Sequence, residues 1–162
     1  MKVKDLVIVA NLGEMKVYVA NPRDLEAEAG LKEDHIKLDL LNDVDFIEAH
    51  KHLKDLVTDM AGRFKADAGK MGASIAEENH LNQEIERELI KVLADEIVKM
   101  VNSVMPPRYF LALPAPIFKR VMDIVLKDSV AKERLFRFVK EDLVKTDKTK
   151  LPKIFQEKGE HF

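Results

Sequence analysis

Cysteine and tryptophan are both missing from this chain of 162 residues. Without cysteine there are no disulfides, no thiolate nucleophile and no Cys-ligated metal or iron–sulfur centre. That fits a reducing compartment such as the cytoplasm. Serine is scarce: Ser74, Ser103 and Ser129 are the only three, and none stands in a G-x-S-x-G nucleophile elbow. Long hydrophobic runs are absent as well. The apolar segment Leu6-Val7-Ile8-Val9-Ala10 is too short for the roughly 7–15 apolar residues of a signal-peptide core, and no small-residue cleavage site follows it. Nothing approaches the ~20 apolar residues of a membrane-spanning helix. The expectation is a cytoplasmic protein with no membrane span.

Apolar residues make up 46% of the chain and charged residues 35%. The first figure is ordinary and the second exceeds the usual quarter, so a Leu/Val/Ile/Met core inside a salt-rich surface is predicted. The length fits a single domain, residues 1–162. The net charge of −2 is unevenly spread. From Pro116 to Lys140 seven basic residues face three acidic ones, which makes +4 there and −6 elsewhere. A local basic face of this kind attracts phosphate even on a mildly acidic protein.

Residues 4–10 and 15–19 are β-branched or alternate with a period of two. Asn11-Leu12-Gly13 between them predicts an antiparallel hairpin, with the glycine supplying positive φ. Asn21-Pro22 should stop the second strand, because proline cannot donate to a ladder. Residues 35–41 alternate as a third strand, and Phe46, Ile47, His50, Leu53 and Val57 recur at helical spacing over roughly 44–55. A stripe of Leu81, Ile85, Leu89, Val92, Leu93, Ile97, Met100 and Val101 marks a long helix of about 24 residues. Ser74 and Glu77 have capping-box spacing at its start. Asp95 and Lys99 are placed as an i, i+4 pair on its outer face, and Pro106-Pro107 lies beyond its end.

Residues 108–113 then read as a buried strand, because the apolar run is nearly continuous. Pro116 opens another helix to about Lys127. Leu135–Val139 is a last strand, and Lys150 to Phe155 opens a terminal helix. Two strands joined through a helix are most simply parallel. The predicted fold is α/β: three layers, a mixed β-sheet with an N-terminal antiparallel hairpin, and flanking helices.

One segment offers both charge and backbone freedom. Arg63-Phe64-Lys65-Ala66-Asp67-Ala68-Gly69-Lys70-Met71-Gly72-Ala73-Ser74 is a basic, small-residue loop feeding the long helix. It is not a P-loop, since Met71 follows Gly69-Lys70, and no G-x-G-x-x-G occurs. What it could offer is contact to nucleic-acid phosphate through Arg63, Lys65 and Lys70 with backbone from Gly69 and Gly72. The five histidines make no chelating pair, because His50 and His52 on a helix point to different faces. No metal and no cofactor is expected. Glu77, Glu78 and His80 beside the loop are the one conceivable acid/base group, though carboxylates in a first turn also complement the helix dipole.

Several stretches together resemble the bacterial host attachment protein family. They are Leu6 to Asn11, Leu56-Val57-Thr58-Asp59 before Gly62-Arg63-Phe64, the glycine loop with its helix, Tyr109 to Pro114, and Lys140-Glu141-Asp142-Leu143 followed by Leu151-Pro152. That family is similar to the middle domain of the eukaryotic and archaeal class-one peptide release factor, whose loop carries a Gly-Gly-Gln tip. Here Met71-Gly72-Ala73 stands at the comparable place, and an alanine methyl can neither orient water nor hydrogen-bond. The resemblance therefore implies a release-factor-like fold and a basic loop on a helix, without the hydrolysis. The function it implies is a non-enzymatic module contacting ribosomal RNA or the ribosome through Arg63, Lys65, Gly69, Lys70, Gly72, Lys119, Arg120, Arg134 and Arg137. The alternatives are a surface-associated attachment adaptor and a hydrolase using Glu77, Glu78 or His80.

Overall fold

The computed structural model describes residues 1–56 and 74–162, the side chains of 74–79 excepted. Strands β1 (Leu6–Ala10) and β2 (Glu14–Pro22) are followed by a short helix α1 (Leu25–Glu28) and strand β3 (Ile36–Asp45). Residues 47–56 are helical and form α2. Then come α3 (Ser74–Val104), β4 (Tyr109–Ala112), α4 (Ala115–Val125), α5 (Ser129–Arg134) and β5 (Leu135–Val139). A 3₁₀ turn, Lys148–Lys150, leads into α6 (Leu151–Lys158).

The five strands form one sheet in the order β3-β2-β1-β4-β5. β1–β2 and β2–β3 are antiparallel, while β1–β4 and β4–β5 are parallel. This is the mixed sheet that the sequence predicts. β1 sits between β2 and β4, so all five of its residues are buried and its pattern is continuous rather than alternating. Its alternate side chains separate two cores. Leu6, Ile8 and Ala10 join Tyr109 and Leu111 under α3 and α4, whereas Val7 and Val9 join Phe110, Leu151 and Phe155 under α6. Helices thus cover both faces, in three layers. Each such aliphatic side chain contributes about 1.5–3 kcal/mol on full burial.

The hairpin turn is made differently from the expectation. Gly13 does not have positive φ. Instead the Asn11 side-chain oxygen accepts from the Gly13 and Glu14 backbone N–H groups, both at 2.8 Å, an Asx turn that needs no left-handed residue. β2 ends at Pro22, opposite Ile36. β1 pairs only as far as Val19, so beyond it β2 has one strand neighbour and the missing N–H removes no ladder bond. β3 extends to Asp45, four residues past the predicted end, with a bulge opposite Val17 and Tyr18.

α3 is 31 residues long, and Leu89, Ile90, Leu93, Ala94, Ile97 and Val101 form its buried stripe. Its ion pairs within the helix include Arg87–Glu84 and Lys91–Glu88; Asp95 and Lys99 make none among the described residues. The side chains of the capping-box residues Ser74 and Glu77 lie outside the described part of the helix. At the other end Met105 takes φ 51° and its N–H reaches the Val101 carbonyl at 2.8 Å, a left-handed cap ahead of Pro106. α5, which the periodicity does not announce, is a short helix capped by Asp128, whose carboxylate accepts from the Ala131 N–H at 2.9 Å. The buried Tyr109 hydroxyl donates to the Ala131 carbonyl at 2.5 Å and ties this helix to β4.

Candidate anion-binding surfaces

Of the nine residues predicted to touch nucleic acid, Arg63, Lys65, Gly69, Lys70 and Gly72 lie outside the described residues. The other four do not share one face. Lys119 and Arg120 are exposed on α4, and Arg120 donates from Nη2 to Glu86 of α3 at 3.0 Å. Arg134, at the end of α5, donates to the Pro106 carbonyl at 2.6 Å and to the Met105 carbonyl at 3.3 Å. It thus holds the turn between α3 and β4. Arg137 lies on the opposite side of the sheet, and the reason is local. β5 bulges against β4, so that Tyr109 pairs with Leu135 but Phe110 with Arg137. Arg137 therefore shares the face of Phe110 and α6 while Phe138 packs among the helices.

Among the remaining candidates, His80 is exposed on α3, and the side chains of Glu77 and Glu78 are outside the described residues. His50 Nε2 lies 2.9 Å from the Leu12 carbonyl; a carbonyl only accepts, so the ring carries its proton there and pins α2 to the hairpin turn. His52 is exposed. Among the described residues no cluster of His, Asp or Glu is arranged to hold a metal ion. Tyr109 and Phe110, 0% and 2% exposed, are core residues; burial pushes the Tyr109 hydroxyl well above its ordinary pKa.

Charge is uneven along the chain: from Pro116 to Lys158 there are twelve basic and seven acidic residues, +5, so the rest of the chain carries −7. α4, α5 and β5 lie toward the β5 edge, where Phe118 packs on Phe138, whereas the 3₁₀ turn touches β3 at the other edge and α6 crosses the face between them. Asp39, Asp43 and Asp45 lie on β3, beside Glu14 of β2. There the Asp43 carboxyl, hydrogen-bonded to Glu14 and close to it in charge, raises the pKa of Glu14. Toward the β5 edge Lys119, Lys127 and Lys132, and on the segment leading to α6 Lys145, Lys148 and Lys150, form no ion pair among the described residues.

A second feature, not foreseen from the sequence, is an open cleft of about 1090 Å³ under the sheet, between β3, β5 and α6. Arg23, Lys37, Arg137, Lys148 and Lys153 line it. These cations come from four separated stretches of chain, so no local motif marks them.

The class that emerges is a three-layer α/β protein with a mixed five-stranded sheet. Among the described residues no helix is long and apolar enough to cross a membrane. The family model described as "Protein required for attachment to host cells" matches residues 6–154, and the chain belongs to that family. No curated protein and no solved structure matches it. A relation to release factors is not among what these comparisons show.

Proposed function

We propose that this chain is a non-enzymatic cytoplasmic module that contacts RNA, ribosomal RNA foremost, through the basic stretch from α4 to β5. The observation that carries this reading is the local excess of positive charge. A protein of net −2 gathers +4 from Pro116 to Lys140, with Lys119, Lys127 and Lys132 there in no ion pair among the described residues. Such cations release counterions when they meet phosphates. The basic composition of residues 63–74 and the release-factor resemblance support the same reading.

The test is a titration with single-stranded RNA at rising salt. Affinity should fall linearly on a log–log plot, and Lys127→Glu with Lys132→Glu should flatten the slope by about 0.7 for each phosphate no longer neutralised. Absence of binding at low salt overturns the proposal. The family's own description favours a second reading, an attachment adaptor at the cell surface. Labelling of the native protein by a membrane-impermeant reagent on intact cells would support that reading against the cytoplasmic one.

A further inference from the structure

The cleft under the sheet has its own chemistry, independent of the RNA reading. Its most constrained cation is Arg137, which is half-buried. Nε donates to His161 Nε2 at 3.1 Å, and Nη1 points to the Phe155 and Gln156 carbonyls at 3.4 and 3.5 Å. None of these partners is a carboxylate. No carboxylate pairs with this guanidinium among the described residues, and Nη2 has no hydrogen-bond partner among them. The close approach to the end of α6 depends on Gly159, where a Cβ would stand 2.9 Å from Arg137 Cδ and 2.2 Å from the Phe155 carbonyl oxygen.

The other charges at the cleft leave the same imbalance. Arg23, Lys37 and Lys148 form no ion pair among the described residues. Three carboxylates also line the cleft, and two are engaged. Glu157 lies 3.8 Å from Lys153, and Asp39 accepts from Asn21 Nδ2 at 2.7 Å. The Asn21 amide is neutral, so Asp34 and Asp39 both keep their charge, two carboxylates against the four cations Arg23, Lys37, Arg137 and Lys148. The floor is apolar, built from Phe110, Phe136 and Phe155, which strengthens the attraction of an anion above it. Phe136 offers little room for a base to stack, because the Arg108 guanidinium already sits over its ring at 4.0 Å. The cleft therefore favours an anion's charge over its ring.

We propose that the cleft between β3, β5 and α6 is a phosphate-binding site. Arg137 is its fixed donor, held from behind by α6, and Arg23, Lys37 and Lys148 are its adjustable rim. A planar fork with an unused donor edge matches phosphate oxygens, while lysines contribute as point charges. The phosphate belongs either to a free nucleotide or to an RNA backbone, and in both cases base identity matters little.

Three probes separate the sources: inorganic phosphate, adenosine monophosphate and a short oligouridine, each followed by ³¹P line broadening and by calorimetry. Binding of the first two marks a free-phosphate site, and binding of the oligouridine alone marks a backbone site; either supports the proposal. Arg137→Gln should weaken the bound probe about tenfold or more, and Arg23→Ala with Lys148→Ala, both on the exposed rim, should do likewise. If Arg137→Gln fails to fold, the rim pair decides. Absence of binding by all three probes, or affinity within twofold of wild type in the folded rim variant, overturns the inference. RNA binding that is lost on reversing Lys127 and Lys132 but indifferent to the rim pair overturns the cleft and leaves the preceding function standing. Free-phosphate binding without RNA binding does the opposite.

Discussion

Replacing Asp5 with alanine should cost this protein about 3 kcal/mol of stability. The carboxylate is 1% exposed and accepts three hydrogen bonds. The Lys2 backbone N–H approaches at 2.6 Å, and Arg108 Nε lies 2.9 and 3.0 Å from its two oxygens. Removing one partner of a buried ion pair costs about 3–5 kcal/mol, because the other charge stays desolvated and unpaired. The lower end applies here, since the Arg108 side chain keeps 23% exposure and its guanidinium retains the Phe136 ring. For a chain of this size that loss lowers Tm by roughly 6–12 °C. The assay is urea unfolding of wild type, Asp5→Ala, Arg108→Met and the double variant. A double-mutant cycle should return a coupling of about 2 kcal/mol, with the double variant less damaged than the sum of the singles. A loss below about 1 kcal/mol for Asp5→Ala, or additive singles, would refute the view that this pair anchors the edge of β1 to β4.

Other perturbations follow from the same contacts. Tyr109→Phe deletes the hydroxyl that holds the Ala131 carbonyl and should cost about 1–2 kcal/mol in denaturant unfolding; an unchanged midpoint would mean α5 is held by packing alone. Asp128 has its pKa lowered, first by the Ala131 N–H and then by Asn102. A depressed folded pKa means stability that is full above the unfolded value near 3.8 and lost as pH falls through the lower folded one. Asp128→Asn, which still caps, should therefore flatten the acid limb of a Tm-against-pH curve, and an unaltered limb would contradict this. Glu14 titrates the other way. Its raised pKa, caused mainly by the hydrogen bond to Asp43, contributes stability below the unfolded value that disappears as pH rises through the folded one. Glu14→Gln should then raise Tm at neutral pH and leave it unchanged near pH 3; a uniform shift at both would sink the explanation.

Much of the architecture was legible where local pattern and tertiary need agree. Leu135–Val139 is a strand by composition and a strand in the sheet, and the α3 stripe follows the helical period because that face covers the sheet. Two errors have one cause. Gly13 and the end of β3 follow single-residue preferences in the sequence, while an Asn11 side chain and a neighbouring strand decide them; β2 does end at Pro22. α5 was missed because six residues give too little periodicity, and a buried tyrosine hydroxyl and an aspartate cap define it instead. Among the candidate site residues, nearness in sequence misled. Lys119, Arg120, Arg134 and Arg137 lie within 19 positions, yet a helix pair and a bulged strand divide them between two sides of the sheet.

The sequence by itself determined the type of most elements, the lack of thiol chemistry and the excess of basic charge toward the C-terminal third. Hydrophobic period and composition are local properties, and they can be read without coordinates. Only the tertiary structure decided which charges are spent and which are left over. Pairing Arg120 with Glu86, closing Arg134 on the α3–β4 turn and setting Arg137 against the end of α6 all require segments distant in the chain to meet. The cleft that joins Arg23 and Lys37 to Lys148 and Lys153 exists for the same reason: the sheet order places β3 and β5 at opposite edges, and α6 spans the face between them.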